Sequence, residues 1–247
     1  MSKLADKIKR ATRLQQSHSL GFGSSRHAVE TTMVLAAIAR DAQSAADLVQ
    51  RGADAVIVDL AGGAPAPVAA KDGAVYGARI AGAADNEAKA CKDAGYDFVV
   101  FDPDTATATA LLEENVGYVI SAPADLTDAE LRTLESFQLD AIDIGAIEGA
   151  LTVRRQIALR RVFGLTHKPL MAAVNPAISI SELQALRDTN VVIAVADSAD
   201  AVERLRKTID ALPARARRKD GEDRPVPLVP RSTAGDGDEE EHDHEHD

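Results

Sequence analysis

Four aspartates lie inside or directly after short apolar runs of this chain. Asp59 and Asp143 lie inside such runs, where a carboxylate is costly to bury unless it is paired. Asp102 and Asp197 follow two other runs. Carboxylate oxygens that converge on one place are the ligands that Mg²⁺ or Mn²⁺ prefers, and burial can also divide acid and base roles among them. The pattern favours a metal or acid–base site, with Asp59 and Asp143 as metal ligands or base.

Arg79 stands between Ala78 and Ile80 in another apolar run. A guanidinium in this setting can bind a substrate carboxylate or phosphate through two hydrogen bonds. Asp59, Arg79 and Asp143 are therefore the predicted catalytic residues, with Arg79 binding the substrate anion. A structural interpretation stays open, in which Arg79 pairs with the two aspartates or reaches solvent.

The elements around these residues give them a common location. From residue 32 to residue 212, short apolar runs alternate with longer stretches of helical spacing that are rich in Ala, Leu and charged residues. The predicted strands are 33–39, 55–60, 74–80, 98–101, 116–121, 141–147, 169–174 and 191–196. The predicted helices are 44–52, 84–95, 105–114, 127–138, 149–163, 179–189 and 198–212, and the connection after the second strand is too short for a full helix.

Local signals mark several helix ends. Thr127 with Glu130 and Ser179 with Glu182 have the spacing of capping boxes, which predicts a helix start at each. Gly164 is a predicted stop signal. The aspartates at positions 102, 104 and 197 precede predicted helices, so they are alternatively N-caps that bind free backbone N–H groups.

Eight strand–helix units in strict alternation predict parallel strands and a closed (β/α)₈ barrel of the triosephosphate-isomerase type. The alternative is an open doubly wound sheet, but no G-x-G-x-x-G follows the first strand. Barrel enzymes carry their active residues at the carboxyl ends of the strands. Residues at those ends are the predicted substrate-binding set: Arg40, Gly62, Gly63, Asp102, Ser121, Glu148, Asn175 and Asp197.

Three regions follow along the chain. Residues 1–31 form a basic amphipathic helix with a lead-in loop, 32–212 form the barrel, and 213–247 form a Pro-containing linker with an acidic, His-containing tail that is predicted to be disordered. The first helix plugs the base of the barrel or packs against another subunit, so a homo-oligomer stays open. The tail histidines either bind a transition metal loosely or belong to a solubilising segment.

Charge and composition exclude several classes of partner. Eight of the eleven net negative charges lie in residues 236–247, which leaves a net charge of −3 on the other 235 residues. A body so close to neutral has no electrostatic footprint for nucleic acid or for an anionic membrane surface. No apolar run approaches the about 20 residues of a membrane span. The N-terminus lacks a secretory signal, and Cys91 is the only cysteine, so we expect a cytoplasmic protein with a small-molecule ligand.

The segment 51–60, which reads RGADAVIVDL, resembles the second strand of citrate-lyase-like barrels of the HpcH/HpaI aldolase group. The resemblance covers about ten residues, and it implies the Mg²⁺-stabilised enolate chemistry of that group. This chain continues with Ala61, Gly62 and Gly63 where those barrels continue with further acidic residues. We therefore expect a metal-assisted lyase or aldolase-type enzyme that acts on a small carboxylated substrate. The alternative is a non-catalytic barrel that serves as a binding or assembly module.

Overall fold

The computed structural model describes residues 2–12, 32–60, 62–68, 73–82, 86–122 and 125–214. Within these residues, eight parallel strands close into a barrel in which each strand pairs with the next and β8 pairs with β1. The strands are β1 (Val34–Ala39), β2 (Ala55–Asp59), β3 (Val75–Arg79), β4 (Phe98–Phe101), β5 (Gly117–Ser121), β6 (Ala141–Ala146), β7 (Leu170–Ala173) and β8 (Val191–Ala196). This order confirms the predicted (β/α)₈ barrel and excludes the open doubly wound sheet.

Helices connect most of these strands. They are α1 (Lys3–Thr12), α2 (Ala42–Gln50), α3 (Glu87–Asp93), α4 (Asp128–Glu135), α5 (Val153–Thr166), α6 (Ile180–Arg187) and α7 (Ala199–Asp210). Both predicted capping boxes are confirmed, because Thr127 caps α4 and Ser179 caps α6 with the reciprocal bonds of that motif. A third capping box, Asp41 with Ser44 at the start of α2, was missing from the prediction because Ser is not the usual third residue of the motif.

Two predicted helices differ from the structure. The stretch 105–114 contains only the 3₁₀ helix Ala108–Leu112, because threonine hydroxyls there bond to other partners: Thr105 donates to the Ala81 carbonyl, and Thr107 bonds Thr109. The predicted stop at Gly164 is wrong. Helix α5 continues to Thr166 and ends at His167, which takes the left-handed conformation with φ at 52°.

The strands alternate between two cores. Side chains on one face pack under the helices, while those on the other fill the inside of the barrel. Phe98 belongs to the inner set and pairs in register with Gly77 on β3 and with Gly117 on β5. A Cβ atom at Gly77 would lie 2.2 Å from the ring carbon Cζ of Phe98. The two glycines therefore leave the space that the Phe98 ring occupies.

Helix α1 closes the base of the barrel, which is one of the two positions that its sequence allowed. Leu4, Ile8 and Ala11 are buried and join the inner core. The carboxylate of Asp97 accepts hydrogen bonds from the backbone nitrogens of Lys3 and Leu4, at 2.9 and 3.0 Å. A carboxylate at this end of a helix satisfies free N–H groups and complements the helix dipole.

The predicted regions 13–31 and 215–247 lie outside the described residues, so disorder of the acidic tail stays a prediction. Pro213 is described, and its carbonyl accepts a hydrogen bond from the buried guanidinium of Arg187. In the described part of the chain, none of the helices has the length and apolar character needed to cross a bilayer.

Candidate functional site

Polar side chains replace apolar ones where the inward-facing positions of several strands reach their carboxyl ends. On β3 the inward positions run from Val75 through Gly77 to Arg79, and on β5 they run from Val119 to Ser121. On β6 the inward Ala141 is followed two residues later by Asp143. The period of two therefore carries Arg79, Ser121 and Asp143 to one end of the barrel.

These residues line a cavity of about 570 Å³ at the carboxyl-terminal mouth. The lining from β1, β2, β7 and β8 is entirely apolar, whereas the lining from β3 to β6 and the residues after them combines polar side chains with apolar ones. The polar lining residues are Arg79, Asp102, Ser121 and Asp143. The inward apolar lining residues are Ile38, Ile57, Met171, Ala173 and Val195. A pocket of this size and division suits a small ligand with one charged end.

Arg79 and Asp143 form an ion pair inside this cavity. The distance from Arg79 Nη2 to Asp143 Oδ2 is 3.3 Å. The Arg79 side chain is 40% exposed, whereas that of Asp143 is 10% exposed. The Nε atom of Arg79 is buried without a hydrogen-bond partner among the described residues. The guanidinium therefore has donor capacity left after it has paired with Asp143.

Asp143 is held by a local distortion of β6. Its Oδ1 atom accepts a hydrogen bond of 3.0 Å from the backbone nitrogen of Gly145. Gly145 has φ at 75°, and the register between β6 and β7 shifts between Asp143 and Ala146. Such a bulge re-aims a side chain next to a functional site, and glycine is the residue that takes this conformation without strain.

Burial raises the pKa of the Asp143 carboxyl above its ordinary value. The hydrogen bond from Gly145, the charge of Arg79 and a hydrogen bond from the Ser121 side chain act in the opposite direction, and burial outweighs them. Ser121 is the register neighbour of Asp143 on β5. Asp143 is therefore a carboxyl whose proton affinity is enhanced and whose position is fixed by three groups.

Two other predicted aspartates lie at the same end of the barrel. Asp102 lines the cavity, and its Oδ1 atom accepts a hydrogen bond of 2.9 Å from the backbone nitrogen of Asp104. Asp102 is therefore not a helix N-cap, because Thr107 precedes the 3₁₀ helix. Asp59 ends β2, pairs in register with Arg79, and is exposed beside the lining residues of the cavity.

The remaining predicted residues at the mouth have other surroundings. Arg40 and Asp197 are exposed directly after β1 and β8. Ser198, and not Asp197, caps α7 through a 3.3 Å hydrogen bond from the backbone nitrogen of Ala201. The Asn175 side chain accepts a hydrogen bond from the backbone nitrogen of Ala177, which forms a local turn before α6.

Three predicted binding residues line separate depressions. Gly62 and Gly63 lie beside a cavity of about 260 Å³ next to α3, and Gly63 donates its backbone N–H to the carbonyl of Leu60 in a tight turn. Glu148 lines a cavity of about 430 Å³ at the start of α5, and its carbonyl accepts a hydrogen bond from Arg155. The structure does not bring these residues together with the Arg79–Asp143 pair.

The apolar wall of the mouth was missing from the sequence prediction. Ile38, Ile57 and Met171 look like ordinary barrel core in the sequence, because each lies within an apolar run. Their inward direction follows from the period of two, since Ile57 is two residues before Asp59 and Ile38 is two residues before Arg40. Because alternate residues of a strand point to the same face, counting back by two from Asp59 and Arg40 could have identified Ile57 and Ile38 in the sequence.

The donor set for a metal ion is incomplete among the described residues. They contain no group of three or more His, Cys, Asp or Glu side chains arranged to hold an ion. The carboxylate of Asp143 already faces a guanidinium, and Asp59 stands opposite the same Arg79 in the register of β2 and β3. At this position the described residues supply a cation that can bind an anion, and no group of three side-chain metal ligands.

A closed parallel barrel with polar groups at its carboxyl-terminal mouth places the chain in the (β/α)₈ fold class. No protein-family model and no curated protein sequence matches the chain. Among solved structures, tryptophan synthase from M. tuberculosis is similar with a TM-score of 0.55 and 13% identity over 85% of this chain and 98% of that one. For 3-keto-L-gulonate-6-phosphate decarboxylase from Vibrio cholerae the TM-score is 0.53, with 12% identity over 72% and 97% of the two chains.

Phosphoribosyl anthranilate isomerase from Thermus thermophilus is also similar, with a TM-score of 0.51 and 12% identity over 72% of this chain and 98% of that one. At such identities the similarity shows the fold alone. These comparisons do not show the resemblance to citrate-lyase-like aldolases, which rests on the segment 51–60.

Proposed function

We propose that this chain is a lyase-type enzyme that binds a small carboxylated substrate at the mouth of its barrel. Arg79 binds the substrate anion, and Asp143 is the general base that accepts a proton from the substrate and returns it. The observation that supports this assignment is the Arg79–Asp143 ion pair inside a cavity of about 570 Å³, with Nη2 and Oδ2 3.3 Å apart. A cation beside a buried carboxyl provides both groups that the removal of a proton from a carboxylated substrate needs.

Asp143 suits the role of general base because burial raises its pKa. A base transfers protons best when its pKa lies close to the working pH, and an ordinary exposed aspartate is too weak. The Gly145 N–H and the bulge in β6 hold the carboxylate in place while it works. Preorganisation of this kind removes the cost of reorienting the base during reaction.

The simplest reaction of this class is the cleavage of a hydroxylated 2-oxo acid. Asp143 takes the proton of the C4 hydroxyl, whose oxygen forms the carbonyl of the aldehyde that leaves. The C3–C4 bond breaks, and its electron pair passes into the enolate of the carboxylated fragment. Arg79 stabilises the negative charge that develops on the enolate oxygen. Asp143 then returns the proton to the enolate carbon, so protons and electrons balance without an oxidant or reductant.

A Mg²⁺ or Mn²⁺ ion on Asp59 and Asp143 stays a prediction from the sequence. No group of three or more His, Cys, Asp or Glu side chains among the described residues is arranged to hold such an ion, and the proposed reaction uses Arg79 and Asp143 without it. Measurement of activity after chelation, and again with each ion added back, tests this point separately. If activity depends on the ion, Asp143 is a ligand and not a free base.

The alternative function is a non-catalytic barrel that binds a small molecule. It is favoured by the fact that Arg79 and Asp143 neutralise each other in the cavity without a substrate. Only the enzyme would remove protons from a bound substrate and return them, so proton exchange distinguishes the two functions. Pyruvate, the smallest 2-oxo acid, exchanges its methyl protons with D₂O through the enolate, and nuclear magnetic resonance follows this exchange.

We expect the full-length protein to accelerate the exchange, and Asp143→Asn to lower its rate by about 10²-fold or more, the usual contribution of a general base. Arg79→Gln lowers it as well, whereas Arg154→Gln, which removes an exposed charge on α5, leaves it unchanged. Exchange at the uncatalysed rate with the wild-type protein contradicts the proposed function and supports a binding module.

A further inference from the structure

Two helix N-termini stand at the mouth of this barrel, since α6 follows β7 and α7 follows β8. In many parallel barrels this is where a phosphate group binds, because free backbone N–H groups and the helix dipole attract it. In this chain, both helix starts carry acidic side chains, which repel a phosphate.

The start of α6 is occupied by a carboxylate of the chain itself. Glu182 accepts hydrogen bonds from the backbone nitrogen and the hydroxyl of Ser179, at 3.2 and 2.7 Å. The Ser179 hydroxyl in turn accepts a bond from the backbone nitrogen of Glu182. The hydrogen bonds from Ser179 lower the pKa of Glu182, so this carboxyl is ionised at neutral pH. Its negative charge at this helix start repels a phosphate.

The start of α7 is closed in a similar way. The hydroxyl of Ser198 caps the backbone nitrogen of Ala201, and two aspartates, Asp197 and Asp200, lie within two residues of Ser198 in the sequence. Residues 174–212 contain no glycine, so no backbone there can approach an anion as closely as a glycine loop does. A doubly charged phosphate would meet repulsion from both aspartates.

The cavity itself also disfavours a dianion. Its described lining carries one cation, Arg79, and two carboxylates, Asp102 and Asp143. On the neighbouring strands, Ile57, Met171 and Val195 line the cavity and are buried, while Ile38 and Ala173 line it and are partly buried. An apolar part of a ligand suits this wall, since a polar group there would lose its hydrogen bonds to water.

We infer that the ligand of the mouth is an unphosphorylated monocarboxylate with an aliphatic chain. Its carboxylate binds Arg79, and its chain packs on the wall formed by β1, β2, β7 and β8. This inference rests on the proposed function for the position of the anion, and it adds the class of substrate. It assigns the apolar wall a role in specificity that proton transfer alone does not require.

Isothermal titration of the full-length protein with three probes tests the inference: acetate, 4-methylpentanoate and isobutyl phosphate. We expect 4-methylpentanoate to bind at least about thirty-fold more tightly than acetate, since each buried CH₂ group contributes about fourfold in affinity. Isobutyl phosphate carries a similar chain and binds at least about tenfold more weakly than 4-methylpentanoate. Equal or tighter binding of the phosphate overturns the inference.

Two variants locate the bound probe. Arg79→Gln should weaken both carboxylates, whereas Ile38→Ser should weaken 4-methylpentanoate about tenfold and leave acetate unchanged. Ile38 is only partly buried, which limits the cost of this change to folding, and Ile38→Val is a milder second variant.

If acetate and 4-methylpentanoate bind equally while pyruvate exchange still occurs, the substrate class is wrong and the proposed function stands. If no probe binds, the inference is wrong.

Discussion

Arg79 on β3 and Asp143 on β6 meet at the mouth of the barrel, with 3.3 Å between Nη2 and Oδ2, although β4 and β5 lie between their strands in the sheet. Closure of the barrel makes this possible, because inward side chains of non-adjacent strands face each other across its interior. In an open sheet the two side chains would be separated by three inter-strand spacings, roughly 14 Å. The candidate site therefore depends on two features: the closure of the barrel, and the alternation that points Arg79 and Asp143 to its inside.

The raised pKa of Asp143 makes stability depend on pH. Because the folded protein holds this proton more tightly than the unfolded chain, the contribution of Asp143 is fully present below its ordinary value of 3.8. It is lost as the pH rises through the raised pKa. We therefore expect wild-type stability to fall relative to Asp143→Asn as the pH increases across this window.

Chemical unfolding of the wild-type protein and of Asp143→Asn between pH 3 and about pH 7 measures this difference. The comparison cancels the contribution of other buried groups, such as Asp140, whose pKa burial also raises. A difference in unfolding free energy that does not change with pH would show that Asp143 titrates alike in the folded and unfolded chains.

Arg79 stabilises the ionised form of Asp143, although burial outweighs its effect. Replacement by Gln should therefore raise the pKa of Asp143 further, because the favourable charge is removed and burial remains. Carbon-detected nuclear magnetic resonance of the Asp143 carboxyl during a pH titration gives both values. Arg154→Gln on α5 is the matched control and should leave the titration unchanged. A lowered pKa in Arg79→Gln would contradict the assigned ion pair.

Substitution by alanine should have opposite effects on stability at Gly77 and at Gly164. A Cβ atom at Gly77 would lie within 2.5 Å of three ring carbons of the buried Phe98, so Gly77→Ala should destabilise the fold by about 1–3 kcal/mol. At Gly164, in the last turn of α5, a Cβ atom meets nothing within 4 Å. Gly164→Ala should therefore stabilise the protein by about 0.5–1 kcal/mol through helix propensity.

Urea unfolding of both variants checks this pair, and Phe98→Leu in the Gly77→Ala background provides a further test. The smaller side chain should recover part of the loss if the ring is the obstacle. Equal effects of the two alanine substitutions would mean that the inner packing around Phe98 is described wrongly.

Helix α1 contributes to stability through its buried side chains. Leu4→Ala should cost about 2–5 kcal/mol, the usual range for a fully buried leucine that leaves a cavity. Arg10→Ala, at an exposed position of the same helix, should change stability by less than about 0.5 kcal/mol. Unfolding curves give the free energy of unfolding of both variants. If Leu4→Ala is as mild as Arg10→Ala, the helix does not plug the barrel in solution.

The sequence predicted the barrel well because its signals are local. Each buried parallel strand is a short apolar run, and helix starts such as those at Thr127 and Ser179 carry their own caps. The predicted helix over 105–114 was wrong because side-chain bonding by its threonines depends on partners such as the distant Ala81 carbonyl. The end of α5 was wrong because His167, and not Gly164, takes the left-handed conformation.

The site was predicted only in part. Arg79, Ser121 and Asp143 were selected because they stand at the ends of strands, and the structure brings them together with Asp102 in one cavity. Glu148, Gly62 and Gly63 satisfy the same rule, but they line two neighbouring depressions, and the course of a loop does not follow from the periodicity of a strand. The apolar wall escaped prediction because Ile57 and Met171 resemble core residues in every local respect.

The proposed site depends on Arg79 binding a carboxylate in the mouth of the barrel. Nuclear magnetic resonance of the arginine Nε–H groups, recorded while 4-methylpentanoate is added to the protein, tests this binding. We predict that the Arg79 Nε–H signal, which has no hydrogen-bond partner among the described residues, shifts saturably, while the signal of the exposed Arg154 does not move. An Arg79 signal that stays in place while 4-methylpentanoate binds, or that follows Arg154 at every concentration, would contradict the claim.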